Sequence, residues 1–129
     1  MNFIKKFIKK ITFSKSVSPE SLKAARDSME NIINSFSLLD EKAKSIRDKY
    51  PDSCKKIHGL FEAAKKIEPS VSVRAGKFEQ ALLQQITKVN SLLDKIWESN
   101  DRAALDAELK LLERYVRVRT TADQEGADE

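Results

Sequence analysis

The chain has 129 residues, 40% of them apolar and 34% charged, with three Gly, three Pro and a single Cys. That length predicts one domain with a core that needs no staples, and one Cys excludes an intramolecular disulfide framework and fits a reducing compartment. The net charge of +4 is a terminal feature: residues 1 to 16 carry five lysines and no acid, and removing those five from 24 basic residues leaves 19 against 20 acidic, a balance of −1. A duplex-binding domain spreads a basic stripe over its body, so nucleic acid is a poor partner for this chain.

The first predicted element is a basic amphipathic helix, Met1 to Phe13, within a basic N-terminal segment of residues 1–16. At about 100° per residue, Phe3, Ile4, Phe7, Ile8 and Ile11 fall on one side and Lys5, Lys6, Lys9 and Lys10 on the other. Lys9 and Lys10 interrupt what would be the hydrophobic region of a signal peptide, and no small-residue cleavage site follows. An all-lysine face opposite bulky aromatics and aliphatics is the composition of an in-plane interfacial helix, so these nine residues are the candidate membrane-binding site, with anionic lipid as the partner. Docking of the same apolar face on the chain's own bundle, or in the groove of a protein partner, stays open.

Ser14 to Ser18 is a polar link, and Ser18-Pro19-Glu20 has the chemistry of a helix start. From there Leu22, Ala25, Met29, Ile32, Phe36, Leu39, Ala43, Ile46 and Tyr50 alternate at three and four, which predicts one helix to Lys49, ended by Pro51. Its register allows a homodimer as well as burial within a monomer. A second helix, Pro51 to Ile67, faces inward through Cys54, Ile57, Phe61, Ala64 and Ile67. The third helix, Arg74 to Glu98, is organised around the stretch Lys77 to Trp97, which carries Phe78, Leu82, Ile86, Val89, Leu93 and Ile96, widened by Leu83, Leu92 and Trp97. Asn100 or Asp101 caps a last helix facing inward through Leu105, Leu109, Leu112 and Val116, and from Thr120 an acidic tail is expected to be disordered. Short connectors favour antiparallel neighbours, so the expected fold is all-α: an antiparallel bundle of three to four helices over residues 17–119, preceded by the amphipathic helix.

Chemistry-bearing constellations are sparse. Cys54, His58 and Glu62 line one helix edge at intervals of four, but zinc needs three or four ligands and no second Cys or His exists to complete the set. A Cys54–His58 nucleophilic pair lacks an orienting third group. The three glycines are isolated, so there is no phosphate-cradling loop. Asp94 with Glu98 and Glu108 with Glu113 have the spacing of solvated helix faces. Trp97, the sole tryptophan, is expected to close the end of the bundle. No catalytic residue, cofactor or metal is assigned.

Leu93-Asp94, Asp101, Leu105-Asp106-Ala107-Glu108-Leu109 and Leu112-Glu113, with Phe78 and Ile86 on the preceding helix, give the region from Tyr50 to Val118 a pattern that resembles the XpaC family, named for 5-bromo-4-chloroindolyl phosphate hydrolysis. The resemblance implies a bacterial, mostly helical protein whose named phosphatase phenotype need not be its own catalysis. It carries over no functional residue, and the Lys-rich stretch here stands in place of hydrophobic N-terminal segments. The expected function is a non-enzymatic scaffold or adaptor, cytoplasmic and at the inner face of the membrane. A soluble cytoplasmic module for a protein partner is the alternative, as is an indirect effect on phosphate-ester hydrolysis.

Overall fold

A computed structural model describes the backbone of residues 18–128 and the side chains of residues 18–122. The amphipathic segment, with Phe3, Ile4, Lys5, Lys6, Phe7, Ile8, Lys9, Lys10 and Ile11, lies outside the described residues. Four α-helices follow: α1 (Pro19–Ala43), α2 (Pro51–Ala64), α3 (Val73–Ser99) and α4 (Arg102–Asp128). Sequential neighbours α1/α2 and α3/α4 pack antiparallel and α1/α3 and α2/α4 pack parallel, and these four are the principal pairs, leaving α1/α4 and α2/α3 on the diagonals of a square. The expected helical bundle is the fold observed.

Each helix buries a seam spaced alternately by four and three. On α1 and the turn after it the seam is Ala25, Met29, Ile32, Phe36, Leu39, Ala43, Ile46 and Tyr50, as its sequence periodicity predicts. On α2 it is Ser53, Ile57, Leu60, Ala64 and Ile67, while Cys54 and Phe61, expected inside, are only partly buried. On α3 it is Ala75, Glu79, Leu82, Ile86, Val89, Leu93 and Ile96, so the charged Glu79 takes the place expected of Phe78. Extending the four-three rhythm backwards from Leu82 leads to 79, and apolarity alone pointed to 78.

Ser18 begins α1 as its N-cap, accepting the Ser21 N–H at 3.1 Å, with Pro19 in the first turn. The predicted single helix to Lys49 stops earlier. The Cys54 thiol donates to the Ala43 carbonyl at 2.8 Å, and Arg47 N–H bonds to Lys44 instead, so the chain tightens into a 3₁₀ turn over Lys44–Ile46. Ile46 and Tyr50 stay on the seam. The third helix starts at Val73, one residue before the expected Arg74, where the Ser72 hydroxyl accepts the Ala75 N–H at 3.0 Å. Asn100, in the left-handed conformation with φ 51°, ends α3 by donating its N–H to the Ile96 carbonyl at 2.8 Å. Asp101 caps α4 by accepting the Ala104 N–H at 3.0 Å.

The expected break at Thr120 does not occur. Thr120 bonds back to the Val116 carbonyl, Ala122 is buried, and α4 continues to Asp128. The reason is packing: Arg119 and Ala122 keep α4 against its neighbours beyond Val116, where the inward apolar pattern of the sequence stops.

Candidate functional site

The membrane-binding candidate is joined to the bundle at Ser18, so the chemistry of that end is what the fold contributes to it. Ten residues along α1, Ser28 donates to Glu79 Oε1 at 2.5 Å. Glu79 Oε2 accepts Arg119 Nε–H at 2.7 Å, and Arg119 Nη2 donates to the Glu68 carbonyl at 2.8 Å. α1, α3, α4 and the α2–α3 connector are thus tied together by one carboxylate and one guanidinium. Arg119 is 1% exposed and Glu79 4%. A buried pair of this kind contributes little relative to well-packed apolar residues, but removing one partner leaves a lone buried charge at a cost of about 3–5 kcal/mol. Among the described residues, every buried side-chain nitrogen and oxygen has a partner. The cluster is a closed structural lock, with no unmet polar atom left for a ligand.

Sequence reasoning missed this pair, although a signal was present. Continuing the seams by the same rhythm places Glu79 one step before Leu82 and Arg119 one step after Val116, at the same end of two antiparallel neighbours. Opposite charges on facing seams at one level predict a buried ion pair.

The opposite end is open. Lys49 Nζ donates to Asn100 Oδ1 and stands 5.4 Å from the Trp97 ring centroid and 5.7 Å from that of Tyr50. The Arg102 guanidinium lies 5.1 Å over the Tyr50 ring and donates to the Lys49 carbonyl at 3.3 Å. Tyr50 is buried, but Trp97 is 52% exposed, which corrects the expectation that it closes the bundle. It follows the seam residue Ile96 by one position, or about 100° around the helix, so its ring points away from the core.

The residues weighed for chemistry do not converge. The Cys54 thiol is occupied by the Ala43 carbonyl, and burial raises its pKa, with Arg47 opposing in part. His58 Nδ1 faces the Asp40 carboxylate at 3.2 Å. Glu62 pairs with Lys65 at 2.5 Å, and that bond holds its carboxyl below the usual range. Glu98 is exposed, while Asp94, Glu108 and Glu113 on the third and fourth helices are committed to partners. Asp94 meets Lys42 at 2.5 Å and Glu113 meets Lys56 at 3.6 Å. Glu108 accepts Gln85 Nε2–H at 2.9 Å with Lys88 at 3.5 Å, and the Gln85 bond chiefly keeps its carboxyl below the usual range. Among the described residues no group of three or more His, Cys, Asp or Glu side chains could hold a metal ion. No helix among them is long and apolar enough to cross a membrane. An open groove of about 650 Å³ on the outer side of α1 is lined by the small and polar side chains Ala24, Asp27, Ser28, Asn31 and Asn34, with Glu30. Compared with known protein families, curated proteins and solved structures, the chain matches none of them.

Proposed function

We propose that this protein is a non-enzymatic helical scaffold or adaptor, held reversibly at an anionic membrane surface by residues 3–13. The observation that carries this reading is the segregation of Phe3, Ile4, Phe7, Ile8 and Ile11 from Lys5, Lys6, Lys9 and Lys10, in a stretch with no acid. Each lysine near an anionic leaflet contributes about 1 kcal/mol, and each bulky apolar side chain roughly 1.5–3 kcal/mol at full burial. Partial insertion and the entropy of ordering the segment reduce that sum sharply, to reversible binding on the order of micromolar.

The surface of the bundle favours lipid over docking on the chain itself. Among the described residues the exposed large apolar side chains are Leu38, Val71, Val73 and Trp97, scattered over the outer side of α1, the α2–α3 connector region and the far end. They form no strip that would match a five-residue apolar face. An adaptor also needs a second surface, and Trp97 is the residue best suited to present one, because tryptophan is enriched among residues that dominate protein interfaces.

Co-sedimentation with vesicles tests the reading. Full-length protein is expected to pellet with anionic vesicles, to stay in solution with neutral ones, and to be released at high ionic strength. The full chain with Lys5, Lys6, Lys9 and Lys10 changed to Glu is expected to stay in solution with both. Equal partitioning of wild type and that variant onto anionic vesicles would sink the reading.

A further inference from the structure

The open end of the bundle holds two ordered cations without an anion. Lys49 Nζ donates to Asn100 Oδ1 and stands against the Trp97 and Tyr50 rings. The Arg102 guanidinium lies over the same Tyr50 ring and donates to the Lys49 carbonyl. Every one of these partners is neutral. Among the described residues neither Lys49 nor Arg102 forms an ion pair, although Lys42 on α1 and Lys56 on α2 meet Asp94 and Glu113. Rings and amide oxygens position a cation and leave its charge unneutralised. An ammonium has three donors and a guanidinium five, and one of each is used here. The cluster therefore holds two cations in place with donors to spare for a carboxylate.

The surroundings narrow what can supply that carboxylate. Trp97 is 52% exposed and offers an apolar face next to Lys49. Asp48, Asp52, Glu98 and Asp101 stand exposed beside these residues in the chain, and beyond residues 1–16 basic and acidic residues nearly balance. A flat anionic membrane or a nucleic acid would press against those four acids. A short peptide segment with acids flanking an apolar side chain meets the cations and the indole alone. The place in the fold agrees, because α1 and α3 run parallel and Trp97 ends α3 on the side away from Ser18, where the proposed anchor joins the bundle.

We infer that Trp97, Lys49 and Arg102 form a recognition site for an acidic peptide segment of a partner protein. Its carboxylates pair with Lys49 and Arg102, and an apolar side chain lies on the Trp97 indole. The inference deepens the adaptor reading above by naming the chemistry of the partner, and it does not depend on attachment to lipid. Because the two cations are already held against rings, binding orders few further side chains, which is how a small site gains affinity.

Trp97 is the sole tryptophan, so its emission reports on the site itself. The lipid-free full chain is titrated with two capped peptides, one alternating phenylalanine with glutamate and the other phenylalanine with glutamine. The glutamate peptide is expected to change the emission saturably, and the glutamine peptide to bind at least about tenfold more weakly. The difference should vanish near 1 M salt, where the Debye length is about 3 Å. Lys49→Gln with Arg102→Gln is expected to weaken the glutamate peptide by a similar factor at an unchanged melting temperature. Lys49→Glu with Arg102→Glu is expected to turn the preference toward a peptide alternating phenylalanine with lysine, which a misfolded chain would not do. No response to the glutamate peptide, or equal affinity for the glutamine peptide, would overturn the inference. A blue shift of Trp97 on phosphatidylserine vesicles would assign the cluster to lipid and overturn it as well. Vesicle co-sedimentation is read separately, so the peptide site and the membrane attachment can each fail alone.

Discussion

At one end of the bundle Glu79 and Arg119 meet in almost complete burial, tied further to Ser28 and the Glu68 carbonyl. At the other, Lys49, Trp97, Asn100 and Arg102 gather over Tyr50 in contact with solvent. Both clusters join α3 to the rest of the fold, and both use a cation. They differ in what each cation would lose. Arg119 has given up its water and depends on its partners, whereas Lys49 and Arg102 keep much of theirs and gain only modestly from the rings beneath them. The first end fixes the relation between helices, and the second is free to change without loss of the fold.

The largest expected effect is at the buried end. Arg119→Ala should lower stability by about 3–5 kcal/mol in a urea or thermal unfolding experiment, because Glu79 is left charged and alone in the core. Changing Glu79 and Arg119 together to Leu and Met should recover most of that loss, and a double variant as unstable as the single one would contradict the account. At intermediate size, Leu93→Ala on the α3 seam should cost about 2–5 kcal/mol, while Trp97→Ala a turn later should cost less than about 1 kcal/mol. A loss at Trp97 as large as at Leu93 would show that the open end is part of the core.

Smaller effects sharpen the contrast. Glu108 has a lowered pKa through Gln85 and then Lys88, so its stabilising contribution is present above the ordinary glutamate range of about 4.3 and is lost as pH falls through the folded-state value. Gln85→Ala should therefore flatten the loss of stability on acidification below about pH 4.3, as followed by denaturation at stepped pH. Smallest of all, Gly76→Ala and Gly59→Ala should each raise stability by roughly 0.5–1 kcal/mol, since both are helical and a Cβ at either position meets open space.

The four helices and most of their inward residues were readable from apolar spacing, because burial of a seam every three or four residues is what makes such helices pack. Apolarity failed as a guide where the seam itself turns polar or shifts by one position. By apolarity Phe78 starts the α3 stripe, yet Glu79 holds that place because Arg119 stands opposite it. The end of α1 was misplaced for another reason. A thiol eleven residues further on takes the Ala43 carbonyl, and no local pattern announces a bond between elements. Trp97 has the size of a core residue, yet it lies about 100° off the seam from Ile96 and faces solvent. The candidate membrane residues were readable without any fold, since their signal is the segregation of lysine from apolar side chains.

Trp97 offers the most direct test of where the protein meets a membrane, because it is the sole tryptophan and sits about 36 Å along α3 from Val73, at the end away from Ser18. Its emission should be recorded while the full chain is titrated with anionic vesicles, with co-sedimentation of the same samples establishing binding. The account predicts that the chain pellets with the vesicles while the emission maximum stays unshifted and brominated lipids fail to quench it. No co-sedimentation, or a blue shift with quenching by those lipids, would contradict attachment through the N-terminal end.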